Sequence, residues 1–385
     1  MSFIESEERV ALRKAVRAVA GRYGFAYTDE CIRSGKRNTE VWEEMGRAGF
    51  LGVNLPEEYG GGGAGIYELA LVLEEAAAAG VPLIMMVVSP AICGTIISRF
   101  GTDEQKQTWL PGIADGSLVM AFGITEPDAG SNSHNLRTVG ARDGEDWILN
   151  GRKVFVTGVE HADAVLIVGR TEDAKTGRLM PALFIVPRET PGFEYHKIDM
   201  DVWENEGQYQ LFLDDVRLPG DALVGRPEAG IAQLFAGLNP ERVMGAAMAV
   251  GSGRYALEKA ADYVKTREVW GQPIGAHQGL AHPLAQRHIE VELSRLMMQK
   301  AATLIDEGLD AAAGEAANMA KYAAAEASVA ALDQAIQSHG GNGLTREYGL
   351  ATMLAWARIG RIAPVSREMV LNFVAQHSLG LPKSY

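Results

Sequence analysis

Strand-forming sequence occupies one continuous block of this chain, and helix-forming sequence lies on both sides of it. From the start to about residue 120 the chain reads as an amphipathic opening, then Thr39-Glu-Val-Trp-Glu-Glu-Met, then Ile66 to Ala79, all rich in helix formers and separated by glycine. Between about 121 and 228, β-branched and aromatic runs take over: Trp147-Ile-Leu, Lys153-Val-Phe-Val-Thr, Ala164-Val-Leu-Ile-Val, Ala182-Leu-Phe-Ile-Val and Tyr209-Gln-Leu-Phe-Leu. Asp143-Gly144 and Asn150-Gly151 punctuate them as expected hairpin turns. From about 229 onward, Ala, Leu and Glu dominate again, which predicts a helix bundle. Because the strands are grouped and do not alternate with helices, doubly wound and TIM-barrel folds are disfavoured. The expected class is α+β, with a helical domain over 1–120, an antiparallel β-domain over 121–228 and a helical bundle over 229–385.

Composition narrows the function. Hydrophobic residues make up 47% and charged residues 22%, the balance of a globular protein. A formal charge of −13 argues against nucleic acid or an anionic membrane as the main partner. Cys31 and Cys93 have neither metal-ligand nor redox-motif spacing and read as ordinary core thiols. The N-terminus is acidic from Glu5 and has no apolar signal core, so a cytoplasmic location is expected. Val81 to Ile97 is the most apolar stretch, but it contains Pro82 and Pro90 and falls short of the roughly 20 residues a bilayer span needs. It reads as a buried helix.

Most single motifs are weak. Gly60, Gly62 and Gly65 match G-x-G-x-x-G but follow no strand, so they read as a flexible loop. His277, His282 and His288 are off the i, i+4 spacing of a helical metal pair, and no metal site is expected. No G-x-S-x-G supports hydrolase chemistry. More informative is Phe122-Gly-Ile-Thr-Glu-Pro-Asp-Ala-Gly-Ser-Asn132, whose small and hydroxyl residues let backbone approach a flat ring or a phosphate.

That segment is similar to the flavin-loop signature of the acyl-CoA dehydrogenases, and other segments match the family in order. They are Leu51-Gly-Val-Asn-Leu-Pro-Glu-Glu-Tyr-Gly-Gly, Gly151-Arg-Lys-Val-Phe-Val-Thr157, Leu211-Phe-Leu-Asp-Asp-Val-Arg-Leu-Pro, Arg267-Glu-Val-Trp-Gly-Gln-Pro-Ile with Gln278, and Gln337-Ser-His-Gly-Gly-Asn-Gly343. The resemblance covers nearly the whole chain. It implies an N-terminal helical domain, a middle β-domain, a C-terminal four-helix bundle, and FAD as cofactor. It places Phe122, Ile124, Thr125 and Ser131 along the flavin and its pyrophosphate, and Phe155 and Thr157 on the other side of the ring. Arg267, Trp270 and Gln278 would reach a neighbouring subunit's FAD, Gln337 and Gly341 would bind the adenosine half, and Ser366 completes the cofactor set. Ser131, Asn239 and Arg242 are the implied acyl-CoA contacts. The implied partners are an acyl-CoA substrate and an electron-transfer flavoprotein, and the implied assembly is a homotetramer or homodimer.

The reaction needs a carboxylate that removes the α-proton of the acyl-CoA. Many relatives carry that Glu near the C-terminus in a stretch like I-Y-E-G-T-x-E, but here the matching segment is Ile362-Ala-Pro-Val-Ser-Arg-Glu368, with Pro364 at the Glu position. Another branch, resembling the isovaleryl-CoA and long-chain enzymes, places it within L-x-x-E-R, and this chain has Leu238-Asn-Pro-Glu-Arg242. Glu241 is therefore the expected base and Glu368 a bystander. Taken alone, Pro240 and Glu241 read as the first turn of a helix. Pro364 also has no backbone N–H for the thioester oxygen, which the resemblance would place at that residue, and Gly158-Val-Glu replaces the usual Asn-Gly. These departures keep two alternatives open: the same fold with desulfinase or oxygenase chemistry, and a CoA-ester-binding protein without turnover.

Overall fold

The computed structural model describes residues 5–173, 176–226 and 230–383. The boundary expected at 228/229 falls outside the described residues. The N-terminal part is built from α1 (Glu7–Ala20), α2 (Gly24–Arg33), α3 (Thr39–Arg47), α4 (Ile66–Ala78), a π-helical stretch Val87–Gly94, α5 (Thr95–Phe100) and α6 (Asp103–Asp115). Local chemistry sets the ends of these helices. Thr102 and Gln105 form a capping box at the start of α6, and Gly116 ends it in the left-handed conformation. The stretch Val81–Ile97 is buried nearly throughout, as its composition requires. The glycine loop at 60–65 is tied down by Gly62 N–H to Gly52 O at 3.0 Å and Gly63 N–H to Leu55 O at 2.9 Å, so it is a bonded turn and not a flexible loop.

The middle part is one sheet. Its strands are β1 (Met120–Gly123), β2 (Val139–Asp143), β3 (Asp146–Thr157), β4 (Ala164–Glu172), β5 (Leu179–Pro187), β6 (Phe193–Ile198), β7 (Gln208–Leu218) and β8 (Leu223–Val224). They run in the order β6-β7-β3-β2-β4-β5-β8, mostly antiparallel, with β1 added parallel to β4. Asp143-Gly144 does turn the β2–β3 hairpin. Asn150-Gly151 does not make a turn: it lies inside β3, where the pairing with β7 shifts register between Leu149 and Gly151. A β-carbon at Gly151 would meet Thr138 Oγ1 at 2.4 Å, so the glycine is there for close approach at a bulge.

The C-terminal part contains three long helices, α7 (Gly230–Thr266), α8 (Gln278–Asp306) and α9 (Asp310–His339). Between the first two lies the small hairpin β9 (Glu268–Val269) and β10 (Gln272–Pro273). The short helices α10 (Leu350–Ala357), α11 (Ile359–Ile362) and α12 (Arg367–Phe373) complete the packing. Pro240 and Glu241 are not a first turn. Pro240 lies in the interior of α7, ten residues after Gly230, where the missing N–H removes one rung of the helix directly before Glu241. Burial of both flanks of α7 outweighs that loss: one hydrophobic core runs from α4 and the π-helical stretch through α7 to α8 and α9.

The helical parts are also joined by charge. Arg13, Arg254 and Arg295, from α1, α7 and α8, converge on Glu74 and Glu75 of α4, two buried carboxylates. Asp306, at the end of α8, accepts from the backbone N–H groups of Ile66 at 2.8 Å and Tyr67 at 3.0 Å, capping α4 from a distant part of the chain.

Candidate active site

The loop after β1 is built on a buried ion pair. Lys153, a β3 residue with no exposed surface, donates from Nζ to Glu126 Oε1 at 2.8 Å and to Ile124 O at 3.0 Å. Glu126 also accepts from Thr138 N at 3.0 Å, Thr138 Oγ1 at 2.6 Å and Arg137 N at 2.6 Å. Burial alone would raise the Glu126 pKa, but Lys153, Thr138 and Arg137 outweigh it and hold the carboxyl below its ordinary value. Burial lowers Lys153 to about 8, with Glu126 opposing. The floor of the loop is thereby fixed, and Val154 N donates to Thr125 O at 2.9 Å, fastening loop to strand. Phe122 is buried, Ile124 and Thr125 are half-buried, and Ser131 is exposed.

Beside Thr125, β3 bulges. Its register against β7 shifts between Lys153 and Val156, and Phe155 sits at φ +56° with 57% of its surface exposed. An aromatic residue in the left-handed region costs of order 1–3 kcal/mol and persists only where its surroundings impose it. The bulge turns a flat apolar ring outward between half-buried Val154 and buried Val156. Thr157, half-buried, donates from Oγ1 to Gln208 Oε1 at 3.2 Å.

Glu241 lies on α7. It is surrounded by protein yet keeps a partly accessible face, as a group in a cleft does, and among the described residues it has no hydrogen-bond partner. Burial pushes its pKa up to about 7, with Arg242 and Lys321 pulling the other way. Cys93 connects it to the loop: the thiol donates to Ala121 O at 3.5 Å, next to Phe122, and its pKa is pushed well up by burial and then by the Glu241 charge. Arg242 turns back along α7, donating from Nη1 to Asn239 Oδ1 at 3.0 Å and Leu238 O at 3.3 Å, while Asn239 is buried. Pro364 packs beside the next turn of α7: an added β-carbon at Gly245, one turn after Glu241, would lie 3.9 Å from Pro364 Cδ. Both base positions considered from the sequence therefore meet at one place. Glu368 is exposed and paired with Arg367 at 2.7 Å, and Ser366 is spent capping α12 by accepting from Met369 N at 3.3 Å.

The remaining sequence candidates form a second cluster at the far end of the bundle. Trp270 and Gly271, at φ +55° and +81°, make the two-residue turn between β9 and β10. Trp270 is 88% exposed there, and Arg267 and Gln278 are exposed beside it. Tyr263 ties this hairpin to the turn after α9. Its carbonyl accepts from Arg267 N at 2.9 Å, its hydroxyl accepts from Asn342 Nδ2 at 3.0 Å, and its ring stacks on His339 at 4.2 Å. Gln337, in the last turn of α9, and Gly341, on the turn that follows, are exposed, and buried His339 Nε2 has no hydrogen-bond partner among the described residues.

Family models for the acyl-CoA dehydrogenase N-terminal, middle and C-terminal domains match residues 6–117, 121–216 and 228–379. Acyl-CoA dehydrogenase FadE12 of Mycobacterium tuberculosis H37Rv is 69% identical over 384 residues, covering 100% of this chain and 99% of that protein. The chain belongs to the acyl-CoA dehydrogenase family. The mitochondrial long-chain specific acyl-CoA dehydrogenase of Sus scrofa is 32% identical, covering 97% of this chain and 87% of its own length. Among solved structures, butyryl-CoA dehydrogenase from Megasphaera elsdenii superposes with a TM-score of 0.91 at 28% identity over 98% of this chain and 100% of its own. A glutaryl-CoA dehydrogenase from Mycobacterium smegmatis in complex with FADH2 gives 0.90 at 27%, over 99% and 96%. A chain from a structure of the electron transferring flavoprotein of Acidaminococcus fermentans gives 0.92 at 30%, over 98% and 100%. The protein is thus an FAD-dependent oxidoreductase acting on acyl-CoA. Its residues fit the cofactor: an outward Phe155 beside the half-buried Thr125 suits a planar ring, and the buried His339 Nε2, without a partner among the described residues, leaves a polar atom beside the Tyr263 contacts of the second cluster.

Sequence reasoning missed Glu126, Lys153 and Lys321. Lys321 left a signal, a lone charge inside an apolar helical run, whereas Glu126 and Lys153 sit beside other charges and left none, and the partner of each lysine is remote in sequence.

Proposed function

We propose that Glu241 is the base that removes the α-proton of an acyl-CoA, giving the trans-2-enoyl-CoA of a fatty-acid β-oxidation step. When bound, FAD supplies the acceptor of the β-hydride. Glu241 supports this reading because it is a deeply set carboxylate with no hydrogen bond from the described residues to stabilise its charge and a pKa raised to about 7, where a general base works best near neutral pH. Phe122, Ile124, Thr125, Ser131, Phe155 and Thr157 would line the flavin, and Ser366 would lie near it through backbone, its hydroxyl being committed. Arg242 and Asn239 act on the substrate side by fixing the Glu241 turn, with Ser131 at the mouth.

Arg267, Trp270 and Gln278 are proposed to complete a partner subunit's FAD site, and Gln337 with Gly341 the adenosine half, in a homotetramer or homodimer. Electrons would leave to an electron-transfer flavoprotein. No described helix is long and apolar enough to cross a membrane. The domain limits near 120 and 228 are kept as part of this reading.

The test is anaerobic mixing of the holoprotein with butyryl-, isovaleryl-, octanoyl- and palmitoyl-CoA. Bleaching of the flavin by at least one of them is expected, and Glu241→Gln should bind ligand yet reduce its flavin about 10²- to 10⁴-fold more slowly. Glu368→Gln should stay within twofold. Binding with no bleaching by any acyl-CoA would favour the non-catalytic or alternative-chemistry reading that Pro364 motivates.

A further inference from the structure

Lys321 lies in the middle of α9 and is 2% exposed. A buried ammonium is costly unless its charge is compensated and its hydrogens are taken. Its Nζ donates to the carbonyl of Val365, the residue after Pro364. Three carboxylates face it: Glu241 on α7, Glu326 on its own helix and Glu368 on α12, with the Arg242 guanidinium opposing. Two of the three are already engaged. Glu326 pairs with Arg361 at 2.6 Å and Arg367 at 3.6 Å, and Glu368 pairs with Arg367 at 2.7 Å. Glu241 is the carboxylate left to balance Lys321.

The same lysine holds the polypeptide that packs on the base. Residues 360–367 are fastened to α9 by Arg361–Glu326 and by Lys321–Val365, and Pro364 within them packs over Gly245, on the α7 face one turn beyond Glu241. We propose that Lys321 is a positioning residue for the Glu241 site: it pins the Pro364–Val365 segment over the Glu241 turn, and its positive charge sets the proton affinity of Glu241. The inference rests on Glu241 being the base. The groups facing Glu241 are Arg242 on its own helix, Lys321 on α9 and the Cys93 thiol from the π-helical stretch, so Lys321 is the cation supplied from another element.

The sign follows from charge. Removing the ammonium destabilises the Glu241 carboxylate, so its protonation extends to higher pH. Lys321→Gln keeps a donor for Val365 O and removes the charge. In anaerobic flavin reduction by whichever acyl-CoA of the panel is fastest, its acid limb should move up by roughly one pH unit. That is about a tenfold loss at pH 6, closing by pH 9. Lys321→Arg keeps the charge and should leave the limb in place while lowering the plateau several-fold, because the longer side chain displaces the Val365 carbonyl. A purely structural lysine would lower FAD content or Tm and leave the limb where it was, and that result overturns the proposal. If the Gln variant fails to hold FAD, the Arg variant decides: a wild-type plateau, or a shifted limb, contradicts it. Glu241→Gln run alongside separates the two readings. If that variant reduces its flavin normally, the base assignment fails; if it is inactive while the Lys321→Gln limb coincides with wild type, only the role of Lys321 fails.

Discussion

Glu126 and Glu241 are two carboxylates sunk into the same protein, and their surroundings send them in opposite directions. Glu126 takes donors from Lys153, Thr138 and Arg137 and is held ionised. Glu241 takes none from the described residues, and burial leaves its proton half bound near pH 7. A saturated buried carboxylate is a fixed part of the scaffold, because releasing or moving its charge would break every bond at once. An unsaturated one can gain and lose a proton at modest cost, which is what a base must do. Cys93 bonds to Ala121 at the start of the loop that Glu126 holds and feels the Glu241 charge, so one thiol relates the two carboxylates.

Breaking the saturated pair should have the largest effect on folding. Lys153→Met leaves Glu126 buried and unpaired, which should cost about 3–5 kcal/mol in chemical denaturation and release FAD. The double variant Lys153→Met/Glu126→Leu should recover most of the stability but not the FAD, since Ile124 O loses its anchor. Full recovery of both would show that the pair does not shape the loop.

The unsaturated carboxylate should behave in the opposite way. Its folded pKa lies above the unfolded value, so the native state binds the proton more tightly and stability falls as pH rises from about 4.5 through 7. Glu241→Gln removes that penalty. The variant should be more stable than wild type by up to about 3 kcal/mol above pH 7, with the gap closing below pH 5. A gap that grows toward acid pH would mean that Glu241 is held charged, like Glu126.

Smaller effects test the flavin face. Phe155→Gly should relieve the left-handed backbone and raise apoprotein stability by roughly 1 kcal/mol while weakening FAD retention. Loss of stability without loss of FAD would make Phe155 an ordinary packing residue. Arg267→Ala should change the stability of the fold by less than about 0.5 kcal/mol and still release FAD readily. A monomer that keeps full FAD in gel filtration would remove the reason for placing Arg267, Trp270 and Gln278 at a partner's cofactor.

The order of helical, β and helical parts was readable because each kind of element leaves its own periodicity. β1, β2 and β6 were missed because four to six residues are too few to carry much of that signal. Asn150-Gly151 and Pro240 misled for a shared reason: turn and helix-start chemistry was overridden by tertiary pairing, β3 continuing through a bulge and α7 through a missing rung. Glu241 became a candidate through its resemblance to a known pattern, but the Cys93 and Lys321 groups around it, and its lack of hydrogen bonds among the described residues, depend on elements far apart in the chain. The same holds for Lys153, whose partner is 27 residues away.

The central claim is that the unsaturated carboxylate is the reactive one, and the pH dependence of anaerobic flavin reduction tests it most directly. In the wild-type holoprotein, the limiting rate of flavin bleaching with a saturating acyl-CoA should rise through a single acid limb set by Glu241 in the bound complex. In Glu241→Gln the much slower residual rate should lose that limb and become flat across the same range. A Gln variant that bleaches at the wild-type rate, or keeps the wild-type limb, would contradict the account.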